Sequence, residues 1–190
     1  MDAAATPDET LIARYAAGDA AAFEQLYARH ELPLWRYVLR QCASRATAEE
    51  LVQEVWFAVA REAPRFRRDG RFTPWLYTIA RHRLIDQLRG IRRHDSLDDA
   101  DGEGRPLAER LPDEQSPQPA DEAERGEQRD AILAALDQLP ALQREAFVLQ
   151  VDSGLGLEEI ATITGTSFET AKSRLRYARD KLKALLRDYA

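Results

Sequence analysis

Leu157–Lys183 reads LEEIATITGTSFETAKSRLRYARDKLK, and this stretch decides the fold. Two helical patterns meet at a turn inside it. In the first, Ile160, Ala161 and Ile163 form a small apolar face. Gly165 supplies the break, because a residue without Cβ enters the left-handed region at little cost. Ser167 is placed as an N-cap, its hydroxyl able to accept from the free first-turn amides, and Glu169 suits the positive end of the helix dipole. From Thr170 to Arg187, seven Lys/Arg stand against a single acid, Asp180. Ala171, Leu175, Ala178, Leu182 and Leu185 recur at intervals of three and four, which buries one face and turns the basic groups outward. A short helix, a tight turn and a basic amphipathic helix make a helix-turn-helix, whose second helix suits the DNA major groove. A basic helix alone is an ordinary solvated face. The capped turn and the helix before it are what point to DNA.

Whole-chain charge argues the other way until it is divided. The net charge of the 190 residues is −6, yet residues 61–94 hold ten Arg and three acids, a balance of +7. Residues 95–124 hold eleven acids and two Arg, a balance of −9, and residues 170–187 stand at +6. Local field, not total charge, attracts phosphate. The composition, 44% apolar, suffices for real cores in one or two small domains. No apolar run reaches eighteen residues and the opening MDAAATPDETL is acidic, so neither a signal peptide nor a membrane insertion is expected. A single cysteine, Cys42, excludes an internal disulfide and fits a cytoplasmic location; it reads as a small buried hydrophobe. His30, His82 and His94 show no ligand spacing, so no metal and no cofactor are expected.

Asp95–Glu124 is rich in Asp, Glu, Pro and Gly and cannot bury enough apolar surface to offset chain entropy, so it reads as a flexible acidic linker. The expected architecture is all-α: a helical domain over 8–94, the linker over 95–124, and a second helical domain with the helix-turn-helix over 125–190. In the first domain, Gly18-Asp19 opens a long helix that Pro33 should kink or split. Thr47 caps the next helix, and Thr73-Pro74 opens another with Thr as N-cap and Pro at the first helical position. Pro140 restarts a helix in the second domain.

Four segments in order carry a resemblance. AEELVQEVWFAVA (48–60), FTPWLYTIARHRLIDQLR (72–89), LPALQREAFVLQVDSGLGLEEIA (139–161) and TAKSRLRYARDKL (170–182) are similar to the extracytoplasmic-function group of the sigma-70 family of RNA polymerase sigma factors. The resemblance implies a non-catalytic specificity subunit that binds core RNA polymerase, recognises two promoter elements and opens the DNA. It implies that Glu50, Gln53 and Glu54 dock on the clamp helices of the largest polymerase subunit, a polar and acidic helix face offered to a basic partner. It also implies contact with the flap of the second-largest subunit, and control by an anti-sigma factor.

For the downstream promoter element, the loop PRFRRDGRF (64–72) supplies Arg65, Arg67, Arg68 and Phe72 as candidates. Arginines can follow the backbone while an aromatic face stacks an unpaired base. Phe66 and Phe72 read equally well as core plugs. On the following helix Arg81, Arg83, Arg89, Arg92 and Arg93 are candidate phosphate contacts. The resemblance puts His82 where the family usually has an asparagine in a pocket for a flipped base, and an imidazole changes charge near neutral pH. For the upstream element it aligns Lys172, Ser173 and Arg176 with base-reading positions, where Lys and Arg can donate to guanine O6 and N7. Thr170, Arg174 and Arg179 complete the candidates, Arg174 and Arg179 as phosphate contacts, with Glu159 as an alternative partner for Arg174. Tyr177 stands where an arginine is usual, and Gly156 where a capping serine is usual.

Two other readings stay open on the residues themselves. One is a stand-alone helix-turn-helix regulator, which would bind promoter DNA tightly without polymerase. The other is a degenerate relative serving as an interaction module. An enzyme has least support, since no nucleophile–base pair, phosphate loop or metal cluster is evident.

Overall fold

A computed structural model describes residues 6–42, 44–67, 69–95 and 121–187, without the side chains of 90–95 and 121–125. Every regular element among them is helical: α1 (Asp8–Ala16), α2 (Ala20–Leu39), α3 (Arg45–Glu62), a 3-10 turn (Ala63–Arg65), α4 (Phe72–Asp95), α5 (Asp121–Asp137), α6 (Ala141–Ser153), α7 (Leu157–Thr164) and α8 (Phe168–Leu185). The chain divides into two compact units, the first holding α1–α4 and the second α5–α8. The expected linker mostly lies outside the described residues, and α5 already begins at Asp121.

In the first unit, Asp19 joins the two opening helices. Its Oδ2 accepts from Arg14 Nε and Nη2 at 2.9 and 2.6 Å, and its Oδ1 accepts from the Ala22 N–H at 3.3 Å, at the start of α2. The hydrogen bond from Arg14 holds the Asp19 carboxyl below the usual carboxylate range. Its contribution is therefore complete above the ordinary carboxylate pKa and is lost only as pH falls through the lowered value. Helix α2 runs on through Pro33 without being split. Phe23 and Tyr27 of α2 bracket Trp56 of α3, with ring centroids 5.6 and 4.9 Å away. Leu51, Val55 and Val59 of α3 and Leu76, Ala80 and Leu84 of α4 are buried, at the three-and-four spacing of helices with one apolar face.

Two expected caps are displaced. Thr47 is the third residue of α3, not its cap. Helix α4 begins at Phe72, which places Thr73 and Pro74 inside its first turn. Pro74 is tolerated there because first-turn amides have no intrahelical acceptor to lose. The Phe72 N–H is accepted instead by Glu9 Oε1, at 3.0 Å and 63 residues away in sequence. A tertiary contact does the work that a local cap was expected to do.

The second unit follows its sequence closely. Gly156 is the extended N-cap of α7, and its N–H is accepted by Glu159 Oε2 at 2.8 Å. Gly165 ends α7 at φ 64°, in the left-handed region. Ser167 caps α8 with its Oγ accepting from the Thr170 N–H at 3.2 Å. Ala171, Leu175, Ala178 and Leu182 form the buried stripe of α8. Leu133, Ala135, Leu136 and Leu139 cover its C-terminal half. Lys181 Nζ donates to the Gln138 carbonyl and adds a polar tie to the segment after α5.

Removal of the Ser167 hydroxyl leaves a first-turn amide of α8 without its acceptor. Ser167→Ala should destabilise the second unit by about 1 kcal/mol. Chemical unfolding followed by circular dichroism measures the loss, and faster amide exchange at Thr170 locates it. An unchanged Thr170 exchange rate would show that the cap contributes nothing.

Candidate nucleic-acid interface

The first unit has a cleft of about 520 Å³ between the end of α3 and the outer face of α4. Ala58, Trp75 and Ile79 supply its apolar lining, while Arg61, Glu62, Arg65, Thr78, His82, Arg83 and Asp86 supply the polar part. Positions 75, 79, 82 and 86 lie at three-and-four spacing, so α4 presents them on one side. The sequence places a strong positive excess in this region, but the cleft sets three arginines against two carboxylates. Glu62 takes Arg61 Nε at 3.2 Å and Arg65 Nη1 at 3.4 Å. Asp86 lies 3.8 Å from Arg89 Nη1. An apolar lining with donors and acceptors around it suits a flat group with polar edges better than a bare phosphate.

Behind Trp75, the aromatic residue of the lining, two further rings pack. Phe66 lies 5.0 Å from Trp75 and 6.4 Å from Phe72, and Phe72 lies 5.9 Å from Trp75. Phe72 is fully buried, and its other side meets the His30 ring at 5.1 Å. It cannot stack on a base without unpacking the domain, so Phe72 is corrected from a base-contacting residue to a core plug. Phe66 and Trp75 are only half-buried and keep surface to offer.

The remaining candidates separate by position. Arg65 and His82 reach the cleft, and both are exposed. Arg67 donates from Nε and Nη2 to Asp69 at 3.1 and 2.8 Å. That hydrogen bond lowers the Asp69 carboxyl pKa, so the pair stays charged into the acid range and a phosphate must compete with Asp69 for Arg67. Arg81 is half-buried and does not line the cleft. Arg89 is exposed beyond it. Arg68 and the side chains of Arg92 and Arg93 lie outside the described residues. Sequence reasoning passed over Arg61 and Glu62, and had Arg83 only as a phosphate contact. Arg83 follows His82 directly, and its membership becomes evident only once α3 is set beside α4.

On α3, Glu50, Gln53 and Glu54 are all exposed. Phe57 continues the same strip and is 74% exposed, a large apolar side chain beside an acidic face. Its position four residues after Gln53 and three after Glu54 is a signal that sequence reasoning did not use.

On α8, Lys172, Ser173 and Arg176 lie on the side away from the buried stripe, at the 100° step of a helix. Lys172 Nζ stands 3.7 Å from Glu169 and 6.0 Å from the Phe168 ring centroid. The Arg176 guanidinium lies 4.8 Å from the Tyr177 ring centroid, and Tyr177 is itself half-exposed. Thr170 is exposed, with its hydroxyl 2.8 Å from Ser167 Oγ. Two candidates sit less freely. Arg179 Nη2 donates to the Gln150 side chain of α6, so as placed it ties helices together and is not turned to a phosphate. Arg174 is half-buried at the stripe's edge, and the Glu159 carboxylate is engaged at the α7 cap. Among the described residues, no group of three His, Cys, Asp or Glu is placed to hold a metal ion, and no helix is long and apolar enough to cross a membrane.

Comparison with known proteins bears directly on this arrangement. Residues 26–94 match the family model for Sigma-70 region 2, and residues 129–182 match that for Sigma-70 region 4. The RNA polymerase sigma factor CarQ of Myxococcus xanthus is 34% identical over 173 residues, covering 91% of this chain and 94% of CarQ. The ECF RNA polymerase sigma factor SigL of Mycobacterium tuberculosis is 34% identical over 174 residues, covering 91% and 93%. Among solved structures, the sigma factor RpoE of Bartonella quintana, in complex with the anti-sigma factor NepR, superposes with a TM-score of 0.72 at 26% identity, over 87% of this chain and 96% of that one. CnrH, in complex with the cytosolic domain of CnrY, gives a TM-score of 0.68 at 25% identity, over 96% and 99%. Two matched regions in order, over nearly the whole length of curated relatives, show that the chain belongs to the extracytoplasmic-function group of the sigma-70 family and is an alternative RNA polymerase sigma factor.

Proposed function

We propose that this sigma factor holds its promoter at two places, one for each unit, and adds no catalytic step of its own to the polymerase it directs. The observation that carries the reading is the cleft between α3 and α4: apolar within, bordered by His82 and by arginines already balanced by Glu62 and Asp86. A nucleobase has two apolar faces and an edge of donors and acceptors, and this lining suits one turned out of the helix. Arg65 and Arg89 are near enough to steady the adjoining backbone. The domain assignment that follows is core binding and strand opening over 8–94, an acidic connection over 95–124, and upstream recognition over 125–190.

Upstream, Lys172, Ser173 and Arg176 of α8 read base edges in the major groove. Thr170, close to the helix N-terminus, is suited to a phosphate. Polymerase binding falls to Glu50, Gln53 and Glu54, whose charge suits the basic clamp helices of the largest subunit. The second unit is the natural partner of the flap of the second-largest subunit. An anti-sigma factor is a further partner, supported by RpoE having been solved bound to one. All of this work belongs in the cytoplasm.

Reconstitution with core polymerase on a promoter library, with transcript starts mapped, tests the function. Starts should cluster behind a shared pair of elements. Absence of promoter-specific transcripts would falsify the reading, and tight promoter binding without polymerase would favour a stand-alone regulator. Lys172→Ala and Arg176→Ala should each cost about 1–3 kcal/mol of discrimination at a single upstream position. Transcription from single-base promoter variants reads that cost, and uniform weakening across all variants would reassign the residue to phosphate. His82→Asn should alter the preferred base at one downstream position and leave the upstream preference unchanged.

A further inference from the structure

The opening turn of α1 is held in place by more polar contacts than a peripheral helix needs. Asp8 places Oδ2 2.6 Å from His30 Nε2 and accepts from Arg29 Nη1 on Oδ1 at 2.8 Å. Arg29 Nη1 also donates to the Thr6 carbonyl at 2.6 Å. With this turn fixed on α2, the next residue, Glu9, reaches across to accept the Phe72 N–H at 3.0 Å.

That amide belongs to the residue that packs behind Trp75 of the cleft lining. Phe72 is the first residue of α4, fully buried, with Phe66 and Trp75 packed against its ring. Arg71, which precedes it, has only donors and cannot cap the helix. A carboxylate aimed at a helix N-terminus is a strong acceptor for such an amide, because charge and dipole act together. The His30 ring, already bound by Asp8, lies against the same Phe72 ring. Helix α1 also packs on the 3-10 turn that leads into the loop, and Glu9 and Phe66 share a second cavity there. The two ends of the loop at residues 66–71 are thus both held by α1, which contributes no residue to the cleft.

We infer that Glu9 is a positioning residue for strand opening: through the Phe72 amide it sets the start of α4, and with it the Trp75 ring that lines the cleft where the separated strand is held. This rests on the proposed role of the cleft. The connection makes opening depend on the first turn of α1, far from both DNA-facing strips in sequence.

The test uses full-length Glu9→Ala and Glu9→Gln, free and with core polymerase. In the free protein, Phe72 amide exchange should accelerate about tenfold in the alanine variant, as expected for loss of one net hydrogen bond. It should stay near parent in the glutamine variant, which keeps an acceptor oxygen. In the holoenzyme, opening of duplex promoter, followed by permanganate reactivity of thymines, should slow about tenfold in Glu9→Ala. The same variant should recover on promoter opened beforehand by mismatches, and keep its affinity for core polymerase and its upstream preference. Glu9→Gln should retain most of the parent's opening rate. Equal loss on duplex and pre-opened promoter, or parental opening by Glu9→Ala, overturns the inference. Unchanged Phe72 exchange in Glu9→Ala overturns it without reference to polymerase. A parent protein that opens no promoter overturns the proposed role of the cleft instead.

Discussion

The first unit depends on how Phe72 is held. Its ring is enclosed by His30 from α2, Phe66 from the loop and Trp75 from the next turn of α4, and its amide is accepted by Glu9 of α1. Burial of a phenylalanine contributes about 1.5–3 kcal/mol, and the same residue would leave an orphaned amide if α1 were displaced. One position thereby sets where α4 starts, which way its outer face turns, and how the arginine-rich loop leaves the 3-10 turn. The cleft between α3 and α4 is a consequence of those three settings.

The second unit rests on local chemistry. Gly165 takes the left-handed conformation that ends α7, and Ser167 satisfies an amide of α8 two residues later. The angle between the two helices is then sealed by Ile160 and Ile163 against the Ala171–Leu175 stripe, all of them buried. Small alanines in that stripe allow α6 and α7 to pack closely on α8. Its outward side is left to Lys172, Ser173 and Arg176, with Tyr177 beside the Arg176 guanidinium.

Charge is distributed to match. The first unit's basic excess sits largely outside the cleft, where arginines can follow a backbone, while the lining itself is close to balance. The Arg67–Asp69 pair keeps one loop arginine partly neutralised, and the hydrogen bond from Arg67 holds the Asp69 carboxyl below the usual carboxylate range. A site that binds a base edge gains by being nearly neutral, because a strong local field would favour phosphate over the base.

What could be read from the sequence is what neighbouring residues determine. Apolar spacing gave the helices, Gly165 and Ser167 gave the turn and cap of the helix-turn-helix, and the charge blocks separated two basic segments from an acidic stretch. The second unit was therefore legible almost residue by residue, down to the Gly156 cap. The first unit was legible as helices but not as a site. Thr73 looked like a cap because Thr-Pro is a good local signal, yet Glu9, 63 residues before Phe72, supplied the acceptor. Phe72 read either as a stacking ring or as a core plug, and packing by His30, Phe66 and Trp75 buries it. Phe57 was hidden among apolar neighbours until the helix showed which way it faced. The reason is physical: caps and amphipathic stripes depend on residues within one or two turns, so sequence alone determines them. A carboxylate reaching another helix's first amide, or a ring buried by distant segments, exists only once the chain has closed on itself, and that the tertiary structure decides.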